Sequence, residues 1–322
     1  MPLQQPNRRV FLQTLAIALA ASVVPAAAEE TAPPPKEVAP GVWFLEGVAS
    51  KGDCNNAVIE MRNSLIVVDA GYPQRAKDVM RIIPQLSRKP VRWVFDTHAH
   101  RDHAYGNALW TRAGATTLAY KGVVDDMNRW EPARWQATME IRPDVRATGE
   151  KNVQRPERTF SGPRFTIRDP GANGRVVEFL HLGWGHTLGD GFVWLPKERV
   201  LCTGDAAVNG PRNKLMDAWI ANWAKALDQA QALQPKFVLP GHGEMGGAEI
   251  LVGQRKFLFD LLAAVRRQTA QGLKPDAMQI QITGPAAHWQ PANAAAWRQD
   301  IETAYLEITS GKPAGANPHV WK

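Results

Sequence analysis

The sequence predicts a single α/β domain in which two β-sheets are sandwiched by helices. Three observations carry this expectation. Short apolar, β-branched runs recur from residue 41 onward, each ended by turn residues. Longer stretches with helical spacing separate some of them. No composition break follows residue 40, and no repeat or low-complexity tract is visible, so strands and helices share one core. The 322 residues are enough to bury it.

Taken in order, residues 29–40, EETAPPPKEVAP, are rich in proline and charge and read as a linker. The domain then runs over residues 41–322. GVWFLEG, NAVIEM and SLIVVDAG read as its first strands. PQRAKDVMRIIPQL reads as a helix with Pro73 in its first turn, where a missing N–H costs nothing. VRWVFDT is the next strand. RFTIRD, RVVEFLHL, GFVWLP, RVLCTGD and KFVLPG follow as strands. Helices are expected at MDAWIANWAKALDQAQAL, AEILVGQRKFLFDLLAAVRRQTAQ and PANAAAWRQDIETAYLEIT. The polar stretch 121–160 reads as a surface excursion or a cap over a site.

Residues 1–28 have the pattern of a signal peptide: Arg8 and Arg9, an apolar run from Leu15 to Val24, and small residues at Ala26, Ala27 and Ala28. The run is short for a membrane span and ends in Pro25. Arg-Arg-Val-Phe-Leu resembles the twin-arginine export signal of bacteria, which implies a periplasmic protein exported already folded. No membrane partner is expected after cleavage. The formal charge is +7, and removing residues 1–28 leaves +5. That balance is mild, no basic cluster is visible, and nucleic acid is not an expected partner. Two cysteines, Cys54 and Cys202, make no disulfide framework; both read as small buried residues, with a single bond between them left open.

The chemistry concentrates in THAHRDHAYGN, residues 97–107, which puts three of the chain's eight histidines and an aspartate into six positions. In a helix His98 and His100 would point apart. On an extended turn after a buried strand they can converge. DHAYGNALW then reads as helical, with Asp102 near its start, where an acid complements the helix dipole. Neutral imidazole and carboxylate suit zinc or another borderline divalent ion. One ion rarely takes four ligands from six residues, whereas two ions side by side can share them. Further ligands stand at strand ends beside glycine: His186 in GWGHTLGD, Asp205 in LCTGDAA and His242 in LPGHGEM.

His98-x-His100-x-Asp102-His103, followed in order by His186, Asp205 and His242, resembles the metal signature of the metallo-β-lactamase fold superfamily. LIVVDAG is similar to its early strand motif, with Asp69 in a supporting place. The resemblance implies a four-layer αββα sandwich and two zinc ions per chain. It assigns His98, His100 and His186 to the first ion, Asp102, His103 and His242 to the second, and Asp205 to a bridge between them, as in the glyoxalase II-like and lactonase-like branches. True β-lactamases of the fold carry cysteine or serine at that bridge, so Asp205 argues against that branch. Iron-dependent branches carry glutamate in the first motif where this chain has His100. Paired metals can share a hydroxide that attacks an electrophilic carbonyl or phosphoryl centre, with Asp102 placed to orient the water or pass its proton on.

The expected function is therefore an exported dizinc hydrolase of a small ester, lactone, thioester or amide, with a small-molecule substrate. The alternatives are a β-lactamase-like hydrolase, a phosphodiesterase, or an accessory metal protein of a periplasmic oxidase system. Among the remaining candidates, His181 reads as a strand residue, with support of a ligand as the alternative. Asp190 reads as turn chemistry or as a carboxylate orienting a ligand imidazole. Cys54 lies in a loop that commonly borders the metal pocket in this fold. Trp219 and Trp223, four apart on one helix, read as core. Trp184, Trp130 and Trp135 are candidates for the pocket mouth. His288 reads as surface or packing, with a substrate contact as the alternative, and His319 as exposed.

Overall fold

The computed structural model describes residues 31–211 and 214–316. The first sheet runs in chain order through β1 (Lys36–Ala39), β2 (Val42–Leu45), β3 (Asn56–Glu60), β4 (Leu65–Val68), β5 (Val91–Asp96), β6 (Thr116–Tyr120) and β7 (Arg158–Phe160). It is an antiparallel meander up to β4 and parallel from β4 to β7. The second sheet holds β8 (Arg164–Arg168), β9 (Val176–Leu180), β10 (Phe192–Leu195), β11 (Val200–Gly204) and β12 (Phe237–Pro240). It is antiparallel except for the parallel pair β11–β12.

Side-chain alternation builds the layers. In β4, Ile66 and Val68 face the second sheet, while Leu65 and Val67 face α1 (Pro73–Leu86). Both faces are covered, which is why LIVV is uniformly apolar. In β10, Val193 and Leu195 face the first sheet, where Phe95 and Phe179 meet with ring centroids 4.5 Å apart. Phe192 and Trp194 face the opposite way, into the core under the later helices α7 (Ile220–Ala232), α8 (Glu249–Ala270) and α9 (Ala294–Ser310). The result is the expected order of helix, sheet, sheet and helix. Burying each of these large side chains contributes roughly 1.5–3 kcal/mol.

The structure departs from the sequence expectations in four places. Residues 36–39, read as linker, pair as edge strand β1 with β2. β6 and β7 were not foreseen; β6 is TTLAY, without a β-branched apolar run, and β7 is only three residues long. The helix expected from Met216 begins at Ile220, because the Glu307 carboxylate accepts from the Ile220 and Ala221 N–H groups and caps it there. Residues 121–160 fold into α4 (Lys121–Trp130), α5 (Ala133–Ile141) and α6 (Pro143–Arg146) before β7. Val123, Met127, Trp135 and Val145 give these helices a small core shared with Tyr105. Between β5 and β6 lie α2 (Arg101–Ala104) and α3 (Asn107–Arg112). No helix among the described residues is long and apolar enough to cross a membrane. Residues 1–28, where a signal peptide is expected, and His319 lie outside the described residues.

Candidate metal centre

Each candidate ligand follows a strand. His98 and His100 lie on the turn after β5, and α2 then starts with Asp102 in its first turn and His103 beside it. Asp69, just past β4, takes a left-handed backbone (φ 67°), a conformation costly for a residue with a side chain. Its carboxylate holds the neighbouring turn: Oδ1 accepts from Thr97 N at 2.8 Å, and Oδ2 lies 2.9 Å from His103 Nδ1. His186 sits between β9 and β10. Asp190 shapes that loop, accepting from His186 N at 2.6 Å and from Thr187 N and Oγ1 at 2.9 and 2.7 Å. Asp190 is therefore turn chemistry and does not meet the His186 imidazole. Burial pushes its carboxyl up to about 7. Asp205 follows β11 and His242 follows β12. Gly241 lies between those strand ends, and a Cβ there would collide with the Asp205 carboxylate and the Gly204 backbone. The Asn55 amide donates to Pro240 O and Gly243 O, both at 2.8 Å, and clamps the His242 turn.

The seven side chains converge in two adjoining groups. His98, His100, His186 and Asp205 offer ligand atoms that lie within 4.8 Å of one another, and so do Asp102, His103 and His242. Asp205 stands between the groups. Its Oδ1 is 3.3 Å from His103 Nε2, and its Oδ2 is 3.5 Å from His242 Nε2, 3.8 Å from His186 Nε2 and 4.0 Å from His98 Nε2. Asp102 Oδ2 lies 3.1 Å from His242 Nε2. His98 Nε2, His103 Nε2 and Asp205 Oδ1 are buried without a hydrogen-bond partner. Each such group costs about 1–3 kcal/mol if left unsatisfied. Their convergence with other nitrogen and oxygen donors fits a cation.

Protonation agrees with that fit. Burial holds His98 well below the usual histidine range and brings His186 down to about 3, so both present neutral rings. Burial alone would raise Asp102 and Asp205. His103 and His242 outweigh it and hold both carboxylates ionised. His103 is the exception: burial disfavours its charge, but Asp205 and Asp69 raise it well above the usual range. A metal there would have to displace that proton.

Sequence reasoning missed Asp217. It is buried, its Oδ2 lies 2.8 Å from His100 Nε2, and it accepts from Arg134 Nη2 at 3.0 Å. An acceptor there assigns the ring proton to Nε2 and leaves the His100 Nδ1 lone pair facing His186 Nε2, 3.1 Å away. The available signal was the acid in MDAWIANW, which was read as helical.

A cleft of about 350 Å3 opens beside the two groups, lined by His100, Arg101 and Asp102 on one side and by Trp130, Ala133, Arg134, Ala137, Lys214 and Met216 on the other. Residues 121–160 thus cap the site, and Trp130 lies at its mouth as expected. Trp135 does not: it is 1% exposed, packed on Tyr105, and donates to Glu150 O. Trp184 is not in the cleft lining; its indole N–H donates to Asp217 O at 2.8 Å. Trp223 is core, its ring 5.3 Å from His186, but Trp219 is 37% exposed because it precedes the helix and stands edge-on to Trp184. Cys54 is fully buried, grouped with Asp69 and His103 rather than lining the cleft, and Cys54 and Cys202 are both free thiols. His181 stacks on Tyr120 and meets Asp190 O, and His288 meets Asn209; neither joins the ligand groups.

Residues 49–242 match the model of the metallo-beta-lactamase superfamily. The chain belongs to the metallo-beta-lactamase superfamily. The metallo-beta-lactamase type 2 of Bacteroides fragilis is 29% identical over 172 residues, covering 50% of this chain and 61% of that protein. A linear primary-alkylsulfatase of a Pseudomonas species is 24% identical over 265 residues, covering 71% of this chain and 49% of that protein. The chain thus spans only about half to three-fifths of the length of these two relatives. Among solved structures, the DIM-1 metallo-beta-lactamase superposes with a TM-score of 0.55 at 18% identity, over 71% of this chain and 99% of that one. A double mutant of the sec-alkyl sulfatase PisA1 superposes with a TM-score of 0.66 at 19% identity, over 88% of this chain and 51% of that one. These likenesses establish the metallo-beta-lactamase fold. The superfamily is generally hydrolytic and its members bind metal ions, typically zinc, in keeping with the His and Asp groups found here.

Proposed function

We propose that this chain is an exported dizinc hydrolase of a small ester, lactone, thioester or amide. The observation that carries the reading is Asp205, whose two oxygens reach toward nitrogens of both ligand groups. His98, His100 and His186 would hold one ion, Asp102, His103 and His242 the other, and Asp205 both. Bound there, the pair would supply Lewis acidity and a water that ionises near neutral pH. The chain's own part is to orient. Asp102 lines the cleft and keeps an ionised carboxylate, so its Oδ2 can accept a hydrogen bond from an attacking water and orient it. Asp217 and Asp69 fix the rings of His100 and His103. Among the described residues that line the cleft there is neither serine nor cysteine, in keeping with water as the nucleophile.

The test is a screen of the zinc-loaded mature protein over lactones, thioesters, nitrocefin and bis-nitrophenyl phosphate, with metal analysis alongside. Turnover of a carbonyl substrate at a zinc ratio near two is expected. Full activity at a stable ratio of one would refute the paired-metal reading, and turnover of the phosphodiester alone would refute the substrate class. Export rests on Arg8 and Arg9: replacing both with lysine should leave uncleaved precursor in the cytoplasm.

A further inference from the structure

We propose that Gly315 is a positioning residue of the metal centre: the C-terminal tail, seated on the Asp217 backbone, sets where the Asp217 carboxylate meets His100. The inference rests on the metal-binding reading and adds to it a part of the chain beyond the matched residues 49–242.

Asp217 sits in residues 214–219, which belong to no strand or helix. No ladder therefore fixes its backbone, yet its carboxylate stands 2.8 Å from His100 Nε2 and 3.0 Å from Arg134 Nη2. Partners distant in sequence must supply that order. Three come from the C-terminal part of the chain. The buried Asp300 carboxyl accepts from the Leu215 N–H, and Glu307 accepts from the Ile220 and Ala221 N–H groups at 2.7 and 2.8 Å. These hold the two ends of the segment. Gly315 takes its middle, donating its N–H to Ala218 O at 3.2 Å.

Gly315 also packs where no other residue would fit. It is buried, and a Cβ there would collide with the Asp217 carbonyl and press on its Cα. Only glycine lets the tail approach so closely. The same Asp217 carbonyl accepts from Trp184 Nε1 at 2.8 Å, so an indole and the tail together locate the peptide from which the carboxylate projects. The Gly315 carbonyl in turn accepts from Arg129 Nη2 on α4, and the Arg129 guanidinium lies 4.8 Å from the ring centroid of Trp130 at the cleft mouth. One glycine thus touches both the acceptor that orients His100 and the helix that caps the site.

The experiment compares wild type, Gly315→Ala, Asp217→Ala and the double variant. In the metal-free protein the His100 ring proton facing Asp217 should give a low-field proton NMR signal, assigned by its loss in Asp217→Ala. Gly315→Ala should shift or broaden it. Zinc competition against a chromophoric chelator should show one ion bound about tenfold more weakly in Gly315→Ala, the low end for disturbing a partner that orients a ligand ring. In the Asp217→Ala background Gly315→Ala should cost no further affinity, because the route to His100 is already cut. An unchanged His100 signal would overturn the proposal, and so would unchanged zinc affinity, whatever happens to Tm. Equal losses with and without Asp217 would overturn it too. If wild type takes up no zinc, the metal-binding reading fails, and the His100 signal alone judges the hold of the tail on Asp217. Should Gly315→Ala not fold, hydrogen exchange in the full wild-type chain decides. Zinc should slow exchange in residues 311–316 more than in edge strand β1, which makes none of these contacts. Equal slowing would be general stabilisation by a bound ligand and would refute the link.

Discussion

Replacing Asp217 tests how the cap and the metal centre depend on one another. Asp217 is 3% exposed and serves two partners, His100 Nε2 at 2.8 Å and Arg134 Nη2 at 3.0 Å. In Asp217→Ala both donors lose their acceptor. Breaking a buried ion pair costs roughly 3–5 kcal/mol. The Arg134 side chain keeps 21% exposure, so water recovers part of this, and a loss of about 2–3 kcal/mol is expected. For a domain of this size that lowers Tm by roughly 4–10 °C. The second effect falls on metal. Without Asp217 the His100 ring is no longer fixed in the tautomer that turns Nδ1 to His186, and loss of such a partner typically weakens metal affinity about 10–100-fold. Zinc competition against a chromophoric chelator should show one weakened ion and one near normal. Asp217→Asn keeps an acceptor for His100 but loses the charge facing Arg134, so its affinity should fall between the other two. If Asp217→Ala lowers Tm while zinc affinity stays at the wild-type value, Asp217 is only a structural ion-pair partner and the positioning argument is wrong.

Asp205→Ser should loosen the second ion first, giving a protein with one zinc and little hydrolysis, partly restored by excess zinc; His186→Ala should empty the first group instead, as metal analysis of both variants would show. Gly241→Ala puts a methyl group against the Asp205 carboxylate and the Gly204 backbone, so zinc content should drop although no ligand has changed, and wild-type zinc content would contradict the close approach. Asp126 is buried, and burial pushes its carboxyl up to about 8. The folded state therefore keeps a proton that the unfolded chain releases near pH 4, so this group's contribution to stability is full below about pH 4 and is lost as pH rises through 8. Asp126→Asn should raise Tm at pH 8 by several degrees and change it little at pH 4, and equal shifts at both would rule out Asp126 as the cause.

The sequence was most informative where one strong local constraint acts alone. Strands covered on both faces, such as LIVV and VLCTG, read directly as apolar runs. The candidate ligands were visible because imidazoles are scarce and stand beside glycine at strand ends. What stayed hidden depends on partners distant in sequence. Asp217 matters because His100, 117 residues away, turns its ring proton toward it. The start of α7 is set by Glu307, 87 residues from Ile220. Trp135 in a polar stretch gave no sign that Tyr105 and Val145 would enclose it. β7 is too short and too polar to read without the edge of β6 beside it.

The origin of the two sets of residues explains how such a site can be both rigid and particular. The candidate ligands, including those just after β5, β11 and β12, are held by parallel ladders and a buried inter-sheet core, so they move only if the sheets move. Most of the cleft wall comes from elsewhere: α4 and α5, which carry their own small core, and the segment containing Lys214 and Met216. Substitutions in those helices can reshape recognition without disturbing the ligands. Asp217 is the exception, because the same carboxylate faces His100 on one side and Arg134 on the other. An ion that fixes His100 thereby also fixes the acceptor that orients Arg134. By the reciprocity of linked equilibria, an anion that draws Arg134 away from Asp217 must change how tightly that ion is held.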